Sequence, residues 1–190
     1  MAVHVDASLP VHPLTVDDLA AMVDAGILGE DDRVELLDGV LVEMSPQGTG
    51  HAAAIRRLNG LLVPFATAAG LEVSPQCPLD VDDPISQPEP DLAIVPIGDC
   101  ESHAAQALLV IEISVTSRRV DLGRKAAIYA AAGIPEYWVL DLADRRLVVH
   151  CAPVEDRYTD IVELSDADEV TAARLPLTVA VAELLPPRGH

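Results

Sequence analysis

The run 107–114, ALLVIEIS, is apolar at odd and even positions alike. A strand with one wet face alternates polar and apolar side chains, whereas a strand covered on both faces reads as a continuous hydrophobic run. This segment is therefore expected to be a central strand with layers packed on both sides, which restricts the chain to a mixed α/β architecture. Glu112 is the exception within it. A carboxylate in a covered strand is costly to desolvate unless a cation or hydrogen-bond donor meets it.

The flanking sequence supplies the rest of such a sheet. Thr15 can cap a helix over VDDLAAMVDA, with Asp17 and Asp18 at its positive end and Gly26 beyond it. RVELLDGVLVEMSP reads as a hairpin turning at Asp38-Gly39, a pair that accepts positive φ angles, and closed by Pro46. From 51 to 69, Ile55, Leu58, Leu61, Leu62 and Phe65 recur at helical spacing, with Arg56 and Arg57 on other faces. Pro64 inside that helix predicts a kink or early stop, and Gly70 the final one. Strands are expected over 71–81, interrupted near Pro75 and Pro78, then over 91–95 and 107–114. A helix over 121–132 stopped by Gly133 and Pro135 follows, and then the strand EYWVLDL. The order from His51 onward is helix, strand, strand, strand, helix, strand. The tail from Arg146 alternates short strands, LVVHC and YTDIVEL, with acidic turns, and reads as a C-terminal accessory sheet or cap whose edge could pair two copies in a homodimer.

At 190 residues the chain fits one domain, 1–190, with a core over about 33–142 and loose ends at 1–13 and 186–190. Half the residues are hydrophobic but only 3% aromatic, so Ala, Val, Leu and Ile must fill the core. The net charge of -19, from 31 acidic and 12 basic residues, argues against a surface that grips nucleic acid everywhere. It leaves room for a focused site in which a metal ion attracts phosphate. Cys77, Cys100 and Cys151 are odd in number and far apart, which fits neither a zinc spacing nor a disulfide framework. The start MAVHVDASLPVHP lacks a basic stretch before an apolar one, and no apolar run reaches the roughly 18 residues of a membrane span. A soluble cytoplasmic protein is expected.

Hydrolysis of a phosphodiester needs an activated water, neutralised phosphoryl oxygens and help for the leaving alkoxide, and a divalent metal can give all three. Magnesium takes oxygen ligands and is commonly held by one or two carboxylates plus water and phosphate. Asp91, after Pro90 at a strand start, and Glu112, near the end of the strand expected beside it, could face one cleft. Lys125, on the next helix, is the only lysine among the 12 basic residues, and its compact ammonium suits an attacking water or a developing oxyanion. Plainer readings stand beside these. Asp91 can be a turn residue, Glu112 a buried partner of Arg118, Lys125 a surface residue paired with Asp121, and His51 a helix-start residue. Arg118, Arg119 and Arg124 form with Lys125 the densest basic stretch, able to meet a nucleic-acid backbone. Tyr129, Tyr137 and Trp138 are expected to pack in the core.

Across 14–158 the chain resembles the Uma-type restriction endonuclease family, a bacterial group within the PD-(D/E)XK nuclease superfamily. The resemblance rests on the order and spacing of Glu35-Leu36-Leu37-Asp38-Gly39, Met44-Ser45-Pro46, His51, Pro90-Asp91-Leu92, Glu112-Ile113-Ser114, Asp121 with Lys125 and Tyr129, and Gly133-Ile134-Pro135-Glu136-Tyr137-Trp138. It implies the superfamily core of helix, three strands, helix and strand. It also implies a magnesium or manganese ion on Asp91, Glu112 and the Ile113 carbonyl, Lys125 as catalytic lysine, and DNA as substrate. Glu35 would be an outer metal ligand and His51 a hydrogen-bonding or base residue. The chain departs from the superfamily's plain pattern in having Ser114 two positions after Glu112, with the lysine moved to the helix. The charge motivates the alternative, a non-catalytic interaction protein that keeps the nuclease-like fold and acts as a dimer or with a basic partner.

Overall fold

The run 107–114 does supply a covered strand: every residue of β5 (Leu109–Ser114) is buried. A computed structural model describes residues 11–29, 31–44, 46–98 and 103–187 of the chain. In it β5 lies within a six-stranded mixed sheet of order β3-β4-β5-β6-β7-β8. The partners are β3 (Leu71–Pro75), β4 (Leu92–Pro96), β6 (Glu136–Asp141), β7 (Arg146–Val154) and β8 (Arg157–Ser165). Only β5 and β6 run parallel, and the helical crossover between them makes this possible.

Strand alternation divides the core into two layers. Leu92 and Ile94 of β4, Leu109 and Ile111 of β5 and Trp138 of β6 face α2 (Thr49–Ala68), which presents Ala54, Leu58, Leu62 and Ala66. On the other face Ala93, Val95, Val110, Tyr137 and Val139 meet Ile128 and Tyr129 of α4 (Ala126–Ala131). Tyr129, Tyr137 and Trp138 are all fully buried, as core aromatics should be. The segment before α4 consists of α3 (Arg118–Val120) and one π-helical turn (Asp121–Lys125), so the helix expected over 121–132 begins earlier and opens wide.

Local chemistry accounts for the smaller elements. Thr15 and Asp18 form a reciprocal capping box at the start of α1 (Val16–Asp24), and Gly26, at φ +68°, lies just beyond its end. β1 (Val34–Leu37) and β2 (Val40–Glu43) form a separate hairpin that turns at Asp38 and Gly39, with φ of 49° and 74°. Positive φ at both central residues matches the right-handed strand twist. Leu36 pairs in an isolated bridge with Gln87, which fastens the hairpin to the segment leading into β4.

Several expectations are corrected. α2 runs through Pro64 to Ala68 without stopping there. Gly60 and Pro64 both lie on its exposed side, where water can take the carbonyl that the missing proline N–H leaves free. Phe65, counted on the apolar face, is 40% exposed, and Ala54 and Ala66 complete the buried stripe instead. The strand expected over 71–81 ends at Pro75. The two tail strands at 146–165 do not build a sheet of their own: they are β7 and β8 and extend the main sheet past β6. A separate ribbon remains only in β9 (Glu169–Thr171) and β10 (Thr178–Ala180), before the short α5 (Val181–Leu184). The tail is tied down by Glu136, whose carboxylate accepts from the Trp138 indole N–H and the Ala173 backbone N–H, each at 2.7 Å. Cys100 and Ser45 lie outside the described residues, as do most of the ends expected to be loose. No helix among the described residues is long and apolar enough to cross a membrane.

Two glycines should respond oppositely to alanine. A Cβ on Gly39 would stand 2.3 Å from Pro13 Cβ, on a backbone already at φ +74°. Gly39→Ala is expected to lower unfolding free energy in urea by more than the ~1–2 kcal/mol of left-handed strain alone. Gly60, inside α2 with nothing within 4 Å of an added Cβ, should gain up to ~1 kcal/mol as alanine.

Candidate active site

The pairing of Leu92 with Ile111 sets position 91 opposite position 112, on the face that Ala93 and Val110 share. Asp91 and Glu112 therefore continue one row of side chains at neighbouring strand ends, and both are buried. Asp91 Oδ2 accepts from the Ile113 backbone N–H at 2.7 Å, which carries the β4–β5 contact past the last paired residues. His51, in the first turn of α2, places Nε2 at 3.0 Å from both Asp91 oxygens. Its Nδ1 is buried without a hydrogen-bond partner among the described residues.

Lys125 closes the other side. Its Nζ lies 2.9 Å from Glu112 Oε1 and 2.8 Å from Glu35 Oε2, with the whole residue 4% exposed. The Tyr129 hydroxyl donates to the same Glu112 Oε1 at 3.0 Å. Glu35 Oε2 also accepts the Glu89 backbone N–H at 3.2 Å. The π-helical turn buries both Asp121 and Lys125. Such wide turns often occur at functional sites because they re-aim side chains. Asp121 accepts the Ser117 hydroxyl at 2.6 Å.

These groups line a cavity of about 620 Å³ whose wall includes Glu35, His51, Glu89, Asp91, Glu112, Ile113, Asp121 and Lys125. Six carboxylates, counting Glu43, face two permanent cations, Arg33 and Lys125. Burial pushes Glu112 up to about 8, because the Lys125 charge offsets only part of the desolvation and Asp91, Asp121 and Glu35 add repulsion. Burial likewise raises Asp121 against its bond from Ser117, and Glu89 against the pull of Arg33. Burial alone would lower Lys125, but the Glu112 and Glu35 carboxylates outweigh it and hold the ammonium above its ordinary range.

The donor set suits a hard divalent cation. Oxygens dominate, and the negative charge exceeds what Lys125 and Arg33 can balance. Among the described residues no three His, Cys, Asp or Glu side chains are placed to hold a metal ion by themselves. One or two carboxylates, the remaining positions being taken by water and phosphate, is the arrangement magnesium commonly uses. Lys125 and Tyr129 both bond Glu112 through Oε1, so neither of them holds Oε2.

The plainer pairings do not form. Glu112 meets Lys125 rather than Arg118, and Lys125 is buried rather than on the surface. Arg118 binds Asp141 and Asp144, and Arg124 binds Asp38. Of the three arginines, Arg119 is the one exposed without an ion pair within 4.0 Å among the described residues. It lines a shallow groove with Thr116, Arg118, Leu122 and Gly123, and Thr116 belongs to the cavity wall as well. Sequence reasoning passed over Glu89 and the Tyr129 hydroxyl. Each carries a signal: Glu89 stands two before Asp91 in an extended, proline-flanked segment, and Tyr129 stands one helical turn after Lys125, where a buried tyrosine needs a partner for its O–H.

A mixed sheet covered by helices on both faces, with an acidic pocket and one lysine at its central strand ends, defines a restriction-endonuclease-like fold. A family model described as Uma2, "Putative restriction endonuclease", matches residues 16–182, and the chain belongs to that family. A crystal structure described as "a putative nuclease belonging to DUF820", from Anabaena variabilis ATCC 29413, matches with a TM-score of 0.66 at 14% identity, covering 90% of this chain and 97% of that one. At that identity the likeness speaks for the fold. No curated protein matches the chain.

Glu112 sets a pH dependence whose sign is fixed. Its folded value of about 8 lies above the ordinary 4.5, so between these values the folded chain keeps a proton that the unfolded chain releases. In chelator, its contribution to stability is full below about 4.5 and lost as pH rises through about 8. Thermal melts across this range should show a falling trend that is shallower in Glu112→Gln.

Proposed function

We propose that the protein is a divalent-metal-dependent endonuclease that hydrolyses phosphodiester bonds in DNA, using magnesium or manganese held by Asp91 and Glu112. The observation that carries this reading is that both carboxylates and the single lysine, each buried, line one acidic cavity at the strand ends. The Ile113 carbonyl is the adjoining backbone ligand. A bound cation would supply a water of lowered pKa and neutralise the phosphoryl oxygens.

The remaining residues prepare that site. His51 holds Asp91 through Nε2 and, with Nδ1 buried, acts as its support rather than as a base. Glu35 holds Lys125 through Oε2, and its other oxygen is the one an outer metal ligand would offer. Lys125 brings a fixed positive charge to where charge develops on the phosphoryl group and leaving oxygen, and fixed charges in a water-poor site stabilise transition states strongly. Arg119 and the groove beside it lead the DNA backbone towards the cavity.

Purified protein with magnesium or manganese should cut mixed supercoiled and linear DNA, and excess chelator should stop it. Asp91→Asn, which keeps the side-chain shape, should lower the rate by at least about 100-fold, the scale for one electrostatic contribution. Lys125→Ala should also stop cutting, but leaving Glu35 and Glu112 buried without a counter-charge should cost about 3–5 kcal/mol of stability. Undiminished cutting by Asp91→Asn overturns the reading. No cutting, together with no cation binding by calorimetry, favours the non-catalytic interaction protein that the charge of -19 suggests. Arg119→Ala should weaken DNA binding and reduce the salt slope by about 0.9, as expected for one lost phosphate contact.

A further inference from the structure

We infer that Tyr129 is a positioning residue for Glu112, fixing one carboxylate oxygen so that the other is presented to a divalent cation. This rests on the metal-dependent reading above. A carboxylate that binds a cation is ionised and acceptor-only, and its terminal torsion is broad and nearly two-fold, so a glutamate held by one donor can turn. Glu112 is held by two, Lys125 Nζ at 2.9 Å and the Tyr129 hydroxyl at 3.0 Å, and both go to Oε1.

The two donors sit one helical turn apart, at the end of the π-helical turn and within α4, so the helix spaces them rigidly. Tyr129 is itself immobile. It is fully buried, and its ring packs 5.0 Å from that of Tyr137. A buried phenol with no access to water must place its proton on a protein acceptor, and Glu112 is the acceptor it has. Groups that orient a metal ligand commonly change metal affinity by about 10- to 100-fold when removed.

Phenylalanine at 129 keeps the ring and removes the donor. Calorimetric titration of manganese chloride into the metal-stripped full chain should give a Kd about 10- to 100-fold weaker for Tyr129→Phe than for the parent. Tyr137→Phe controls for general loss of packing. Its hydroxyl also makes a buried 3.0 Å bond, to the Asp121 carbonyl, but none to Glu112, so manganese affinity should stay at the parent value even if the melting temperature falls. Glu112→Gln separates the two levels of the reading. If it abolishes manganese binding while Tyr129→Phe binds like the parent, or if both tyrosine variants weaken binding equally, the positioning role is overturned and the metal site stands. If the parent binds no manganese, the metal site fails and the positioning role falls with it.

Discussion

One buried ammonium holds the centre of this molecule together. Lys125 reaches from a π-helical turn to two carboxylates that lie far apart in the chain, Glu35 on the β1–β2 hairpin and Glu112 in the middle of the sheet. Breaking a buried pair by removing one partner typically costs about 3–5 kcal/mol, because the charge left behind has neither water nor a partner. The hairpin, the central strand and the crossover helix thereby meet at a single atom. Without Lys125 the carboxylates of Glu35, Asp91, Glu112 and Asp121 would share one cavity wall with Arg33 as its one permanent cation among the described residues.

That ammonium does not neutralise the cavity, and the imbalance links structure to chemistry. A protein bearing -19 overall is a poor magnet for a polyanion. Its acidic pocket, in the proposed reading, receives a hydrated divalent ion, and a bound ion reverses the local field that a phosphate meets. In the proposed reading the broad surface does not grip DNA at all. Attraction is confined to the cavity and to the neighbouring Arg119 groove.

Much of this was legible before any coordinates. The unbroken apolar run at 107–114 identified the central strand, and the charge inside it marked Glu112. Asp38-Gly39 located the hairpin because few other residue pairs accept two consecutive positive φ angles. The sites of failure share a cause, which is that tertiary context decided them. Pro64 breaks helices whose freed carbonyl is buried, yet here it lies on an exposed side. β7 and β8 carry the same local signals whether they form their own sheet or extend an existing one, and only the neighbour they find decides. The π-helical turn has no periodic signature in so short a segment, and so the burial of Lys125 was not readable from its spacing. The fates of Arg118 and Arg124 depended on Asp141, Asp144 and Asp38, which the sequence brings near only through the fold.

Trp138, the chain's single tryptophan, occupies the sheet face opposite Glu112, packed towards α2 with its indole bonded to Glu136. Glu136 in turn grips the backbone at Ala173. The tryptophan fluorescence of this protein therefore comes from one residue, on the sheet face opposite the cavity. It monitors the α2 layer and the docking of the tail, and it gives an optical baseline against which spectroscopic changes at the acidic pocket stand apart from loss of the fold.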